Sequence, residues 1–91
     1  MSIAYLNGDW QPLAQTKVSV LDRGFLFGDG VYEVIPVYSG KAFRLAEHLQ
    51  RLARNLAAIR IASPLSEDQW TQIIERLIAD LGPVDQALLS L

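Results

Sequence analysis

Residues 22–35, Asp22-Arg23-Gly24-Phe25-Leu26-Phe27-Gly28-Asp29-Gly30-Val31-Tyr32-Glu33-Val34-Ile35, constrain this chain more than any other stretch. Gly24, Gly28 and Gly30 fall within seven residues. Glycine takes positive φ without a Cβ clash, so the spacing predicts a loop whose backbone can approach a ligand. The β-branched and aromatic residues that follow suit a pleated strand. On such a strand Val31, Glu33, Ile35 and Val37 share one face, and Tyr32, Val34, Pro36 and Tyr38 the other. A permissive loop feeding a strand puts the first side chains of that strand at the wall of a pocket.

Around this unit the pattern reads as alternating strands and helices. Ile3 to Leu6 is a short strand candidate, and Asn7-Gly8-Asp9 is a tight-turn signal. Trp10 and Leu13 lie on the expected returning strand, which Pro12 confines to an edge because proline donates no ladder hydrogen bond. Thr16 to Leu21 alternates loosely and reads as a further extended piece. After the glycine loop and its strand, Ser39-Gly40 turns the chain and Lys41 to Arg44 returns as a hairpin partner.

From Leu45 the period changes. Leu45, Leu49, Leu52, Leu56 and Ile59 recur at three- and four-residue spacing, which predicts an amphipathic helix over 45–59. Arg60 to Pro64 breaks it. Ser66 opens a second helix, with Gln69 as its capping-box partner and Glu67 and Asp68 at the positive end of the dipole. Trp70, Ile73, Ile74, Leu77, Ile78 and Leu81 form its apolar stripe, and Gly82-Pro83 stops it. Asp85 to Leu91 begins a buried-strand pattern with no terminating signal, so Leu91 is expected to be a cut within a longer strand. The order predicts an α+β domain: an antiparallel sheet with two helices on one side.

Ninety-one residues make one domain at most, with a modest core. Acids and bases are mixed along the chain at a net charge of −2, unlike the concentrated basic face of a nucleic-acid binder. The absence of cysteine excludes disulfides and thiolate metal sites. The N-terminus lacks the basic and long apolar regions of a signal peptide, and no apolar run approaches membrane-spanning length. A cytoplasmic protein, with no nucleic-acid or membrane partner, is the expectation.

The loop, the strand and the helix motif Glu47-His48-Leu49-x-Arg51-Leu52 together resemble the fold-type IV pyridoxal-phosphate enzymes, the class IV aminotransferases. The resemblance covers essentially the whole chain. Branched-chain members usually carry Val-Phe-Glu-Gly-Ile-Arg after the glycine, whereas this chain has Val31-Tyr32-Glu33-Val34-Ile35-Pro36. Aminodeoxychorismate lyases tend to have smaller polar residues there. The Tyr-Glu-Val version is similar to the D-amino acid branch of the family.

The resemblance implies a role for each of several residues. Arg51 occupies the position of the arginine that binds the cofactor phosphate. A guanidinium can grip such an anion with two parallel charge-assisted hydrogen bonds. A solvated arginine on a polar helix face is the plainer reading of Arg51, and Arg54 one turn later and Arg44 just before the helix are equally basic, so spacing alone does not choose between them. Tyr32 is implied to face the substrate side of the cofactor; unaided, it reads as a core tyrosine with its hydroxyl at the sheet edge. His48, the sole histidine, is one helical turn before Arg51 and is implied to support it, although a lone histidine is more often structural. No second histidine or cysteine exists to join it in a metal site. Glu33 reads either as buried beside the site or as the partner of a nearby arginine. Asp22 and Arg23 are expected to fix the shape of the loop by hydrogen bonding.

The resemblance implies transfer of an amino group from a D-amino acid to a 2-oxo acid, with pyridoxal 5'-phosphate as cofactor and a homodimer as the assembly. It also implies that the lysine that holds the cofactor covalently lies in a C-terminal domain. The lysines present, Lys17 and Lys41, do not match it. Residues 1–91 are then the small N-terminal domain, inert by itself, with no catalytic residue of its own. Branched-chain transamination and aminodeoxychorismate lyase activity are the alternatives within the fold. A stand-alone binding or assembly domain is the alternative outside enzymology.

Overall fold

Leu49, Leu52 and Leu56 project from one face of a helix, and Ile35, Val37 and Leu89 from one face of a sheet. These residues and Ile74 form a single buried cluster. The computed structural model describes residues 3–82 and 85–91. The described elements run β1 (Ile3–Leu6), β2 (Asp9–Pro12), α1 (Arg23–Phe27), β3 (Val34–Tyr38), β4 (Lys41–Ala42), α2 (Leu45–Ala58), α3 (Glu67–Leu81) and β5 (Gln86–Ser90). This is the expected α+β arrangement, with both long helices against one sheet face. The ladders fall into two antiparallel sheets, a β1–β2 hairpin and a three-stranded sheet in the order β4-β3-β5.

The strand alternation read from the sequence holds. Glu33, Ile35 and Val37 are buried, while Tyr32, Val34 and Tyr38 are exposed. The β3–β5 ladder pairs Ile35 with Leu89 and Val37 with Ala87. Reciprocal backbone bonds between Glu33 and Leu91, at 3.2 and 2.8 Å, carry the pairing one step beyond β3. That step fixes Glu33 on the helix-facing side.

The helices end where their capping chemistry dictates. Ser66 accepts from the Gln69 backbone N–H at 3.2 Å, and the Gln69 side chain accepts from the Ser66 N–H at 2.8 Å. This is the capping box expected from Ser66 and Gln69. Gly82 closes α3, and its N–H bonds Ala79 O at 3.3 Å. Pro83, the other half of that stop signal, lies outside the described residues.

Four expectations need correction. Thr16 to Leu21 is not a strand. Leu13–Gln15 instead form a short 3-10 turn, and Thr16 Oγ1 and N bond Pro12 O and Leu13 O at 2.9 and 3.1 Å. Local partners satisfy the backbone there, so no ladder is needed. Leu13 therefore leaves the hairpin, which ends at Pro12. The return over Lys41 to Arg44 shortens to the two residues of β4, because Arg44 turns to φ 53 as the N-cap of α2. Finally, β5 is buried on one face only: Leu89 is in the core, whereas Leu88 is 71% exposed.

Candidate functional site

The glycine-rich segment is organised as a capped helical turn. The Asp22 carboxylate accepts from Gly24 N at 2.9 Å, which starts α1. Gly28 ends it in the left-handed region at φ 68, a position where a side chain would be strained. Arg23 Nε then donates to Asp29 Oδ2 at 2.7 Å and closes the segment. Asp22 and Arg23 thus hold its shape as expected. Gly28 alone of the three glycines takes positive φ, so the loop is less permissive than its composition suggests.

Beyond this segment the β3–β5 register carries Glu33 onto α2, where three titratable side chains converge. Glu33 is 2% exposed. His48 Nδ1 lies 2.6 Å from its Oε1. Arg51 Nε donates to its Oε2 at 2.9 Å, and Arg51 Nη2 donates to Oε1. The Arg51 hydrogen bond is the main cause holding the Glu33 carboxyl down at about 2; burial opposes it and His48 assists. An ionised carboxylate only accepts, so His48 Nδ1 carries the proton in this contact. Arg51 Nη2 and His48 Nδ1, 3.5 Å apart, are then both donors and are held together by the oxygen they share.

Glu33 is both buried and the partner of an arginine, so the two readings of it coincide. Its pairing in turn raises Arg51's already high pKa. Tyr32, Glu33, Val34, Arg51 and Asn55 line a cleft of about 370 Å³. Arg51 is half-exposed there, and Tyr32 is 79% exposed. Tyr32 is therefore not a core tyrosine within this chain. Arg44 instead pairs with Glu47 at 3.6 Å. Sequence reasoning passed over Asn55, although it lies four residues after Arg51 and hence on the same helix face.

The donor set fits the phosphate end of a cofactor. Glu33 takes one edge of the Arg51 guanidinium, and the adjacent edge, Nη1 with Nη2, keeps N–H groups for an oxyanion. A larger cleft of about 920 Å³, between the β1–β2 hairpin, α3 and β5, is walled mainly by apolar side chains such as Leu6, Trp70 and Leu88. Its one charged lining residue is Asp80, so it offers no comparable chemistry. Among the described residues there is no cluster of metal-ligating side chains, and no helix is long and apolar enough to cross a membrane.

A two-layer α+β domain presenting a carboxylate-braced arginine beside a tyrosine is suited to holding the anionic end of a small molecule. The family model for amino-transferase class IV matches residues 30–89, and the chain belongs to that family. It is 34% identical over 89 residues to a D-alanine aminotransferase of Staphylococcus aureus, covering 98% of this chain and 31% of that enzyme. It is 43% identical over 63 residues to a D-alanine aminotransferase of Listeria monocytogenes, covering 69% of this chain and 22% of that enzyme. A branched-chain aminotransferase from Thermoproteus uzoniensis superposes with a TM-score of 0.88 at 24% identity, over 98% of this chain and 31% of the other. The chain thus spans less than a third of these enzymes, and the last likeness establishes the fold alone.

Proposed function

We propose that residues 1–91 are the small N-terminal domain of a pyridoxal-phosphate-dependent aminotransferase that moves an amino group from a D-amino acid to a 2-oxo acid. The observation that carries the reading is the bracing of Arg51 by Glu33, which His48 also holds, in a cleft that Tyr32 also lines. The D-amino acid assignment draws on the relatives at 34% and 43% identity. It also draws on the Tyr32-Glu33-Val34 sequence, with Pro36 where branched-chain members carry arginine.

In this reading Arg51 binds the cofactor phosphate, and Tyr32 forms part of the substrate wall. Glu33, itself held by His48, keeps Arg51 in place. The bound cofactor supplies the electron sink for the chemistry at the α-carbon. The covalent lysine comes from a C-terminal domain, so residues 1–91 alone are inert. The site lies in the crevice between the domains of a homodimeric, cytoplasmic enzyme.

In the protein at its natural length, Arg51→Ala is expected to weaken pyridoxal phosphate binding roughly ten- to a hundredfold, through loss of charge-assisted hydrogen bonds. Affinity equal to the unsubstituted protein's would reject the phosphate role. Assays with D-alanine and L-leucine test the substrate class: turnover of L-leucine alone would replace the D-amino acid reading with branched-chain transamination.

A further inference from the structure

A guanidinium has two edges that can each grip an oxyanion with two parallel N–H bonds: Nε with Nη2, and Nη1 with Nη2. In this chain the first edge is taken. Glu33 accepts from Nε through Oε2 and from Nη2 through Oε1. Glu33 is itself immobilised. It is buried, its backbone is locked to Leu91 by two hydrogen bonds, and Oε1 also receives His48 Nδ1 at 2.6 Å. Arg51, by contrast, is 54% exposed on the surface of α2. A half-exposed arginine would otherwise sample many rotamers and lose that freedom on binding.

We propose that Glu33 is a positioning residue for Arg51: by occupying the Nε–Nη2 edge it fixes the guanidinium plane and leaves the Nη1–Nη2 edge as the docking edge for a phosphate monoester. The inference rests on the phosphate role given to Arg51 above. It adds that the buried carboxylate, although it carries the same sign of charge as the ligand, strengthens binding. Its charge is already neutralised across the pair, and the ordering of the arginine is completed before the ligand arrives. The opposite possibility is that Glu33 competes with the phosphate for Arg51 and must be displaced.

A double-mutant cycle separates these in the protein at its natural length. A lysine ammonium is a point charge with no edges to select. Glu33→Gln in an Arg51→Lys background therefore reports the change of charge alone. Affinity is measured with pyridoxal phosphate as probe and pyridoxal as its phosphate-free control. The expected result is that Glu33→Gln weakens phosphate-dependent binding about tenfold more in the Arg51 background than in the Arg51→Lys background. An equal effect in both, or a tightening in the Arg51 background, overturns the inference. If Arg51→Ala leaves the affinity unchanged, the phosphate role fails and this inference fails with it. A weakening by Arg51→Ala with no difference between the backgrounds removes the positioning role alone.

A measurement on the unsubstituted protein needs no variant to fold. With arginine labelled at nitrogen, the Arg51 Nε–H signal is expected to be protected from exchange before pyridoxal phosphate is added and to stay protected afterwards. Loss of protection on addition would show Glu33 displaced and would overturn the proposal.

Discussion

Glu33 and Arg51, eighteen positions apart in sequence, meet through two hydrogen bonds that occupy one whole edge of the guanidinium. The pair spans the interface between the sheet and α2, so it ties stability to pH as well as organising a site. Arg51 and His48 hold the Glu33 carboxyl at about 2, against 4.5 for the unperturbed group. The folded state therefore binds its proton less readily than the unfolded chain does. The resulting stabilisation is fully present above about pH 4.5 and is lost as pH falls toward 2. Its size is about 1–3 kcal/mol once screening at the half-exposed arginine is allowed for. Glu33→Gln should remove this component, leaving a flatter fall in the urea midpoint between pH 5 and pH 2.5 than the unsubstituted protein shows. Parallel curves for the two proteins would contradict the assignment.

The glycine segment offers a test of which glycine matters. Gly28 sits at φ 68, whereas Gly30 does not have positive φ and a Cβ built there meets nothing within 4 Å. Gly28→Ala should cost roughly 1 kcal/mol locally, because a Cβ is strained in the left-handed region. Gly30→Ala should be neutral or slightly stabilising through the unfolded chain. Amide exchange at Leu26 and Asp29, which bond Asp22 O and Arg23 O, reads this directly. Exchange there should quicken about fivefold in the first variant, by local opening, and stay unchanged in the second.

How much of this was legible from the sequence depended on the range of the signal. The two helices, their cap at Ser66 and the face assignment of Glu33, Ile35 and Val37 follow from spacing within a few residues. The adjacency of His48 and Arg51 on α2 is likewise local. The closure of Glu33 onto Arg51 is not, because it depends on the β3–β5 register and on how α2 packs across it. The α1 turn was missed for a different reason. Asp22 as an N-cap competes with the flexibility that glycines suggest, and the cap prevails over those five residues. The exposure of Leu88 and the end of the first hairpin at Pro12 were also set by partners that periodicity does not name.

The α3 cap predicts a graded pair of variants. Ser66→Ala removes the oxygen that accepts the Gln69 N–H and should cost about 1 kcal/mol. Gln69→Ala removes only the reciprocal bond to the Ser66 N–H, and the smaller loss should follow. Thermal unfolding of the two variants checks the order. A larger loss from Gln69→Ala would mean that this side chain acts elsewhere.

Core substitutions test whether the helices lie on the sheet face that carries Glu33. Ile74 and Ile35 are fully buried on α3 and β3, in the same cluster as Leu52. Truncating either to alanine removes several methyl and methylene groups from a packed interior and should cost about 2–5 kcal/mol, through lost transfer energy and a residual cavity. Val34, next to Glu33 but on the opposite face, is partly exposed, so Val34→Ala should cost well under 1.5 kcal/mol in the same denaturant titration. Because Glu33 shares its face with Ile35, a one-residue slip in register would exchange these two outcomes and turn the carboxylate away from Arg51. A large loss at Val34 with a small loss at Ile35 would therefore unseat the fold and the site together.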